Sequence, residues 1–310
     1  MYFANNTRYA WVPQVVVLLI LLGTAGPHFD TTSKSIASGM TLVGNRLSFF
    51  SLCLSSSVTY SSCAADYFVY CDPKLATRGK VFSATLLGLT CSFALCFTIG
   101  CGLASGLHSN PAWAAAGSGS GALIVAGYGG LGAFGKLCSV IAAIGLVSNM
   151  VPPVYCCGID VQILGRYPAL VPRFIWNALA VIIFTVCALA GKNELSLIFM
   201  NFLALMGYWV VLWVAISLEE QFVFRRRKDP KYNWSDWNLQ DKLPIGLAAF
   251  AAFFLGWVAA ILSMRQIYYT GPLARLVGTE GADLGNFLGF GVAGLTYLPL
   301  RWWELRIFKR

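Results

Sequence analysis

Eight long apolar stretches constrain the fold of this chain more strongly than any other feature. An α-helix needs about 20 mostly apolar residues to cross the hydrocarbon core of a bilayer. Because lipid offers the backbone no hydrogen-bond partners, only helices and closed barrels can cross it. The sequence therefore predicts an all-α, polytopic membrane helix bundle. The stretches lie at residues 11–26, 47–70, 81–104, 132–163, 173–190, 195–217, 243–263 and 284–300.

The composition agrees with a membrane protein. Charged residues make up 11% of the chain, whereas a soluble domain carries roughly 25%. The net charge of +9 does not indicate nucleic acid, because the longest basic run, Arg225 to Lys231, lies between two apolar stretches. We therefore predict that the chain is embedded in a lipid bilayer and that it does not bind nucleic acid. The sequence shows no catalytic constellation, cofactor motif or metal-ligand spacing, so we predict a protein that is not an enzyme and has no cofactor.

The distribution of Lys and Arg predicts the orientation. When tails and loops are counted alternately from the N-terminus, one side holds 16 of the 22 basic residues and the other holds 6. The positive-inside rule places the richer side, with both termini and the loop 219–242, in the cytoplasm. The glycosylation sequons at Asn5–Thr7 and Asn233–Ser235 fall on that side, so we expect neither to carry a glycan.

The stretch 132–163 carries residues that a spanning helix usually avoids. Asn149 is followed by Pro152 and Pro153, and each proline removes one backbone hydrogen bond from a helix. Prolines in membrane helices often produce only a kink. A second interpretation is a discontinuous helix that exposes backbone groups beside the Asn149 amide.

The stretch 47–70 is irregular in a different way, because hydroxyl residues cluster around Tyr60. Ser and Thr in membrane helices often only allow close packing, but they can also satisfy backbone groups that a break sets free. Two irregular stretches together favour discontinuous helices that present a few polar groups to a small ligand. We accordingly predict that Tyr60 and Asn149 face one polar cavity.

The loop 105–130 is rich in Gly, Ala and Ser and contains no Asp, Glu, Lys or Arg. This composition favours a flexible external linker. The alternative is a partly re-entrant hairpin that lies over the bundle.

Several short sequences, in order along the chain, resemble the fungal-type purine–cytosine permeases, a branch of the nucleobase–cation symporters. The stretch 145–165, which ends in "VQILG", is similar to the eighth helix of that family. The other similar segments are "RYAWVPQ" (8–14), "GTAGPHFD" (23–30), "AADYFVY" (64–70), "DKLPIGLAAFAAFFLGW" (241–257) and "PLRWWEL" (299–305).

The resemblance implies a LeuT-type inverted-repeat fold in the plasma membrane, of which this chain carries helices five to twelve. Residues 1–46 would hold the last helix of the first repeat, 47–217 the second five-helix repeat, and 218–310 two peripheral helices and the tail. On this reading the first four helices are missing, and we expect the 310-residue chain alone to show no saturable base uptake. The alternatives are a truncated permease product without transport and a membrane interaction or regulatory protein that retains the scaffold.

The resemblance also implies proton-coupled uptake of cytosine, adenine, guanine or hypoxanthine. In the eighth helix, Asn149 and Pro152 match the family pattern Asn-Asn-x-Pro-Asn, whereas Met150 and Pro153 replace amides. Tyr60 stands where the family usually has Trp and keeps a face for stacking. The implied substrate-binding residues are Ser57, Tyr60, Ser61, Asn149 and Pro152.

Overall fold

The computed structural model describes residues 9, 11–32, 34–68, 77–116, 119–192, 194–226, 235, 239 and 242–308. Within these ranges the named elements are helices. They are α1 (Trp11–Ala25), α2 (Gly39–Val58), α3 (Tyr60–Phe68), α4 (Arg78–Ser105), α5 (Pro111–Ala115), α6 (Ser120–Gly127), α7 (Ala133–Ile163), α8 (Arg166–Leu170), α9 (Arg173–Ala190), α10 (Leu195–Glu219), α11 (Leu247–Ser263) and α12 (Gly285–Phe308). Three short 3₁₀ turns and a π-helical turn at Glu220–Phe224 complete the described elements.

In its described residues each predicted apolar stretch is mostly helical, which confirms an all-helical polytopic protein. Five helices in the described residues are long and apolar enough to cross a membrane, and Leu247–Ser263 is a shorter apolar helix. The count of eight spans and the LeuT-type arrangement remain predictions. The five long helices are Trp11–His28, Arg78–Ser105, Ala133–Ile163, Arg173–Ala190 and Leu197–Phe224.

Residue contacts divide the chain into two compact units. Unit 1 comprises Met1–Lys34 and Cys63–Ile198, and unit 2 comprises Ser35–Ser62 and Phe199–Arg310. The predicted boundaries at residues 46 and 217 separate structural repeats, whereas these units are defined by residue contacts. The predicted division into repeats therefore remains a prediction.

The helix α7 runs without interruption through Pro152 and Pro153. The interpretation of this stretch as a discontinuous helix is therefore wrong. Proline fixes φ at a value close to that of an α-helix, so it removes one N–H donor without forcing the chain out of helical geometry. The two prolines cost this long helix two backbone hydrogen bonds, and the rest of the ladder keeps it continuous.

The predicted irregularity of the stretch 47–70 is confirmed. The helix is interrupted at Thr59, between α2 and α3, although the φ and ψ of Thr59 (−59° and −27°) stay in the helical region. The interruption is thus a local loss of the hydrogen-bond ladder within an otherwise helical path.

The loop 105–130 is not a linker in its described residues, so that prediction is wrong. It forms α5 and α6, and Trp113 and Tyr128 are buried in the core of unit 1. The Tyr128 hydroxyl donates to the Val17 carbonyl over 2.6 Å. The segment contains few aromatic residues, but each is large and buries enough apolar area to order the Gly-rich chain around it. Whether this hairpin re-enters the bilayer remains a prediction.

The pair α11 and α12 forms the best-packed part of unit 2, and small residues recur on both helices at every fourth position. A Cβ added to Gly256 would lie 2.9 Å from the Ala293 Cβ, so the two backbones approach closely. In lipid such close packing supplies the van der Waals attraction that holds helices together. The buried small residues are Ala248, Ala252, Gly256 and Ala260 on α11, and Gly285, Gly289 and Ala293 on α12.

Candidate functional site

Three of the predicted site residues, Ser57, Tyr60 and Ser61, surround the interruption at Thr59. The Ser57 hydroxyl donates to the Cys53 carbonyl over 2.9 Å, and the Ser61 hydroxyl donates to the Val58 carbonyl over 2.6 Å. Their hydrogens are thus engaged by the helix itself, while each oxygen keeps lone pairs that can accept an N–H group of a ligand. Tyr60 is half-buried at the start of α3 and brings an aromatic face and a hydroxyl.

The other two predicted site residues, Asn149 and Pro152, lie on α7. Asn149 is exposed, and the neighbouring Met150 is 42% exposed. Pro153 has no N–H group with which to donate to the Asn149 carbonyl, as a helix would require. Asn149 therefore offers an amide donor and an amide acceptor beside a backbone acceptor. The backbone of Pro152 is helical, and its side chain lies outside the described residues.

A half-buried contact supports α7 in the turns before Asn149. The Gln14 side-chain Nε2 of α1 donates to the Ile141 carbonyl over 2.8 Å. A Cβ at Gly145 would overlap the Gln14 amide, so only glycine leaves room for it there. Gly145 precedes Asn149 by one helical turn, and the contact therefore fixes the segment of α7 that carries the amide.

The two groups belong to different units. Ser57, Tyr60 and Ser61 lie in unit 2, and Asn149 and Pro152 lie in unit 1. The predicted cavity that Tyr60 and Asn149 would share remains a prediction.

A buried polar cluster in unit 2, the Asp283 cluster, escaped the sequence analysis. It is centred on the Asp283 carboxylate, which accepts hydrogen bonds from Tyr208 of α10 over 2.8 Å and Ser51 of α2 over 3.2 Å. Asn286 of α12 donates to the Ser51 and Ser55 hydroxyls, each over 2.9 Å. The members are Ser51, Ser55, Tyr208, Gln266, Asp283 and Asn286.

A second polar cluster, the Arg301 cluster, lies toward the C-terminal ends of α10 and α12. The Arg301 Nη1 lies 2.8 Å from Glu304 Oε2, and its Nε lies 3.3 Å from Glu220 Oε2. Tyr297 donates to Glu220 over 2.9 Å, and the Leu247 N–H at the start of α11 donates to Glu304 over 3.0 Å. The cluster therefore ties together the end of α10, the start of α11 and α12.

Both clusters had a visible signal in the sequence. Glu220, Asp283 and Arg301 are ionisable residues inside or directly beside apolar stretches, where an unpaired charge is costly. In the sequence, Arg301 was counted among the basic residues that set the orientation and lies in the permease-like segment "PLRWWEL", but it was not predicted to be buried. An ionisable residue in such a place predicts a buried partner, although it does not say which residue the partner is.

Long apolar helices, a helix interrupted at a hydroxyl cluster and an exposed amide on a proline-containing helix define a multi-pass membrane protein with polar groups on its helices. The chain is a homologue of the purine–cytosine permeases, which confirms the resemblance seen in its sequence. It is 34% identical to purine-cytosine permease fcyB of Emericella nidulans over 97% of its length. It is 31% identical to purine-cytosine permease FCY2 of Saccharomyces cerevisiae over 98% of its length, and 30% identical to vitamin B6 transporter TPN1 of the same yeast over 97%.

The chain spans only part of these relatives, namely 59% of fcyB, 57% of FCY2 and 61% of TPN1. No protein-family profile matches the chain. No solved structure matches it either.

Proposed function

We propose that this chain carries part of the substrate path of a proton-coupled nucleobase permease in the plasma membrane, with cytosine, adenine, guanine or hypoxanthine as substrate class. The observation that carries the proposal is the homology to purine–cytosine permeases over 97% of the chain. The helices α2 and α3 correspond, on this proposal, to the interrupted helix of the second repeat of a LeuT-type fold.

Each candidate residue has a role that suits a planar heterocycle. Asn149 pairs one edge of the base through its amide, which offers both a donor and an acceptor. Tyr60 stacks on the ring. Ser57 and Ser61 accept N–H groups, since their own hydrogens are engaged by backbone carbonyls. Pro152 fixes φ in the turn after Asn149 and thereby restricts the motion of this segment of α7.

A second substrate class, a pyridine of the vitamin B6 type, is supported by two observations. TPN1, a vitamin B6 transporter by name, is 30% identical over 97% of the chain. In addition, Met150 and Pro153 stand where the permease pattern has amides, so this chain has fewer edges with which to pair a purine. A pyridine ring has one nitrogen, whereas a purine ring has four, so the pyridine ring presents fewer nitrogens that an amide can pair.

Substitutions on α7 test these roles. We expect Asn149→Ala to weaken binding of labelled adenine or cytosine to the purified chain about tenfold, because a paired edge is lost. Met150→Asn is expected to strengthen base binding several-fold by restoring an amide. Val147→Ala, an exposed position two residues before Asn149 on the same helix, is the matched control and should leave the affinity unchanged. Equilibrium binding in detergent measures all three.

Competition separates the two substrate classes. If unlabelled pyridoxine displaces the label more effectively than adenine does, the pyridine class is favoured. Base binding that is equal in Asn149→Ala, Met150→Asn and the unsubstituted chain would contradict the assignment of α7 to the substrate path.

The orientation gives a separate expectation. We expect Ser235→Cys, in the loop 219–242, to react with a membrane-impermeant maleimide only after cells are permeabilised. Lys34→Cys, on the opposite predicted side, is the matched control and should react in intact cells. Both positions are exposed, and both variants are made in a background whose native cysteines are replaced. Labelling of Ser235→Cys in intact cells would reverse the predicted topology. Arg227, Lys228, Lys231 and Asn233 of this loop lie outside the described residues.

A further inference from the structure

We propose that Asp283 is a proton-binding site, and that a proton on its carboxyl group stabilises the assembled Asp283 cluster and thereby the attachment of α2 to α10 and α12. The inference goes beyond the proposed function and does not depend on it. It concerns three helices of unit 2 alone.

The carboxylate joins these helices directly. Asp283 Oδ1 accepts hydrogen bonds from the Tyr208 hydroxyl over 2.8 Å and from the Gly285 N–H, in the first turn of α12, over 3.1 Å. Among the described side chains, Ser51 alone donates to Oδ2, over 3.2 Å, and the Arg265 backbone also contributes a hydrogen bond to the carboxylate. The Asp283 N–H donates to the Ser48 hydroxyl of α2 over 2.8 Å. Oδ2 is thus the more weakly held oxygen and the one that can take a proton.

The neighbouring hydrogen bonds determine what a proton on Oδ2 would do. Tyr208 accepts from Gln266 over 2.6 Å, so its hydroxyl hydrogen points to Oδ1 and stays there. The Ser51 hydroxyl can instead accept from a protonated Oδ2, and its own hydrogen is then free to rotate. Asn286 donates to this same hydroxyl, and its Oδ1 is a buried acceptor that has no partner among the described residues. The cluster therefore holds a spare acceptor that an added hydrogen could satisfy.

The surroundings favour proton uptake. Asp283 is 6% exposed, and this burial raises the pKa of its carboxyl group above the ordinary value. Hydrogen bonds from the Gly285 and Arg265 backbones and from the Tyr208 and Ser51 side chains offset part of the rise. The titratable groups that face it are Tyr208 from α10 and Arg265 from the loop before α12. The guanidinium of Arg265 is held by Glu280 over 2.8 Å and by Asn45 over 3.2 Å.

The remaining helices present neutral groups to Asp283. From α2 these are the hydroxyls of Ser48 and Ser51, because Arg46 on that helix is exposed. From α12 they are the Gly285 N–H and the Asn286 amide, which reaches Asp283 through Ser51. The buried carboxylate consequently receives hydrogen bonds, but the cation nearest to it among the described residues is occupied elsewhere.

The sign of the pH dependence follows from the raised pKa. When α2 detaches, Asp283 meets solvent and returns to its ordinary pKa of about 3.9. The assembled cluster therefore binds the proton more tightly than the opened one. Detachment should become harder as the pH falls through the raised pKa, and the gain should be complete near the ordinary value.

Hydrogen exchange of the α2 backbone, residues 48–55, tests the proposal on the purified 310-residue chain. After correction for intrinsic exchange rates, we expect the protection of this segment to rise about tenfold between pH 8 and pH 5, because the assembled cluster binds the proton more tightly than the opened one. In Asp283→Asn, whose side chain is neutral at every pH, the protection of this segment should not depend on pH. Glu194→Gln, which removes an exposed acid in unit 1, is the control and should retain the full pH dependence.

Tyr208→Phe keeps the test decisive if Asp283→Asn does not fold. It removes a hydrogen bond that holds the pKa of Asp283 down, so the midpoint of the protection curve should move to a pH that is higher by about 1. Protection of α2 that is the same from pH 8 to pH 4, a pH dependence that persists in Asp283→Asn, or a midpoint that Tyr208→Phe leaves in place would each overturn the proposal.

Discussion

Replacing Arg301 by methionine is expected to lower the free energy of unfolding by about 3–5 kcal/mol, the usual cost of breaking a buried ion pair from one side. The side chains of Arg301 and Glu304 are each only 5% exposed, and that of Glu220 is 18% exposed. Methionine fills a similar volume but leaves the Glu304 carboxylate without its cation, whereas Glu220 keeps its ion pair with Arg225 over 2.7 Å. Glu304 also accepts the Leu247 N–H, so the loss should reach the start of α11. Unfolding in mixed detergent micelles measures the change.

The matched control is Arg306→Met, five residues further along α12. Arg306 is exposed, and its guanidinium lies 3.3 Å from the centre of the Trp302 ring. A cation–π contact at an exposed site contributes about 0.5–1 kcal/mol, so this variant should change little. A double variant, Arg301→Met with Glu304→Gln, should recover part of the loss, because the unpaired charge of Glu304 is gone. Equal losses in Arg301→Met and Arg306→Met would refute the role of the Arg301 cluster.

Replacing Gly289 by leucine is expected to separate α11 from α12 and to reduce the yield of monodisperse protein sharply. A Cβ at this position would already lie 3.1 Å from the Leu212 side chain, 3.4 Å from the Ala260 Cβ and 3.5 Å from the Gly256 carbonyl. The three further carbons of leucine have no space between the helices. Overpacking of this kind costs about 1–3 kcal/mol or more, and here the strain falls on backbone that cannot rotate away.

Gly291 provides the control within the same helix, two residues later. A Cβ at Gly291 would have no heavy atom within 4 Å, and leucine is a better helix former than glycine by up to about 1 kcal/mol. Gly291→Leu should therefore leave the thermal unfolding midpoint unchanged or raise it slightly, whereas Gly289→Leu should lower it. The same behaviour in both variants would mean that the close approach of α11 and α12 does not stabilise unit 2.

The positions of the long helices could be predicted because lipid leaves the backbone almost no alternative. A run of about 20 apolar residues must satisfy its own hydrogen bonds, and the helix does so locally. The same locality explains why the interruption at Thr59 was predictable, since the hydroxyls of Ser57 and Ser61 bond to carbonyls three or four residues earlier. The candidate ligand residues on α3 and α7 could likewise be chosen from residue types and family pattern.

The predictions from sequence were wrong for two segments, because each rested on a local signal and left out the opposing contribution of the surrounding residues. Pro152 and Pro153 suggested a break in α7, but two missing donors do not overcome the remaining hydrogen bonds of a long helix. The Gly-rich composition of 105–130 suggested a linker, yet Trp113 and Tyr128 find a core in unit 1. The outcome in each case depends on a sum over many residues, which no short pattern contains.

Local chemistry, then, was enough to place the helices and the interruption at Thr59. The partners of buried polar groups were decided only in the folded chain. Asp283 meets Ser51, which lies 232 positions away in sequence, and Arg301 meets Glu220, which lies 81 positions away. Contacts of this kind form when separate helices pack against one another. An ionisable residue in an apolar run shows that a partner must exist, but only the packing of α2, α10 and α12 determines which one it is.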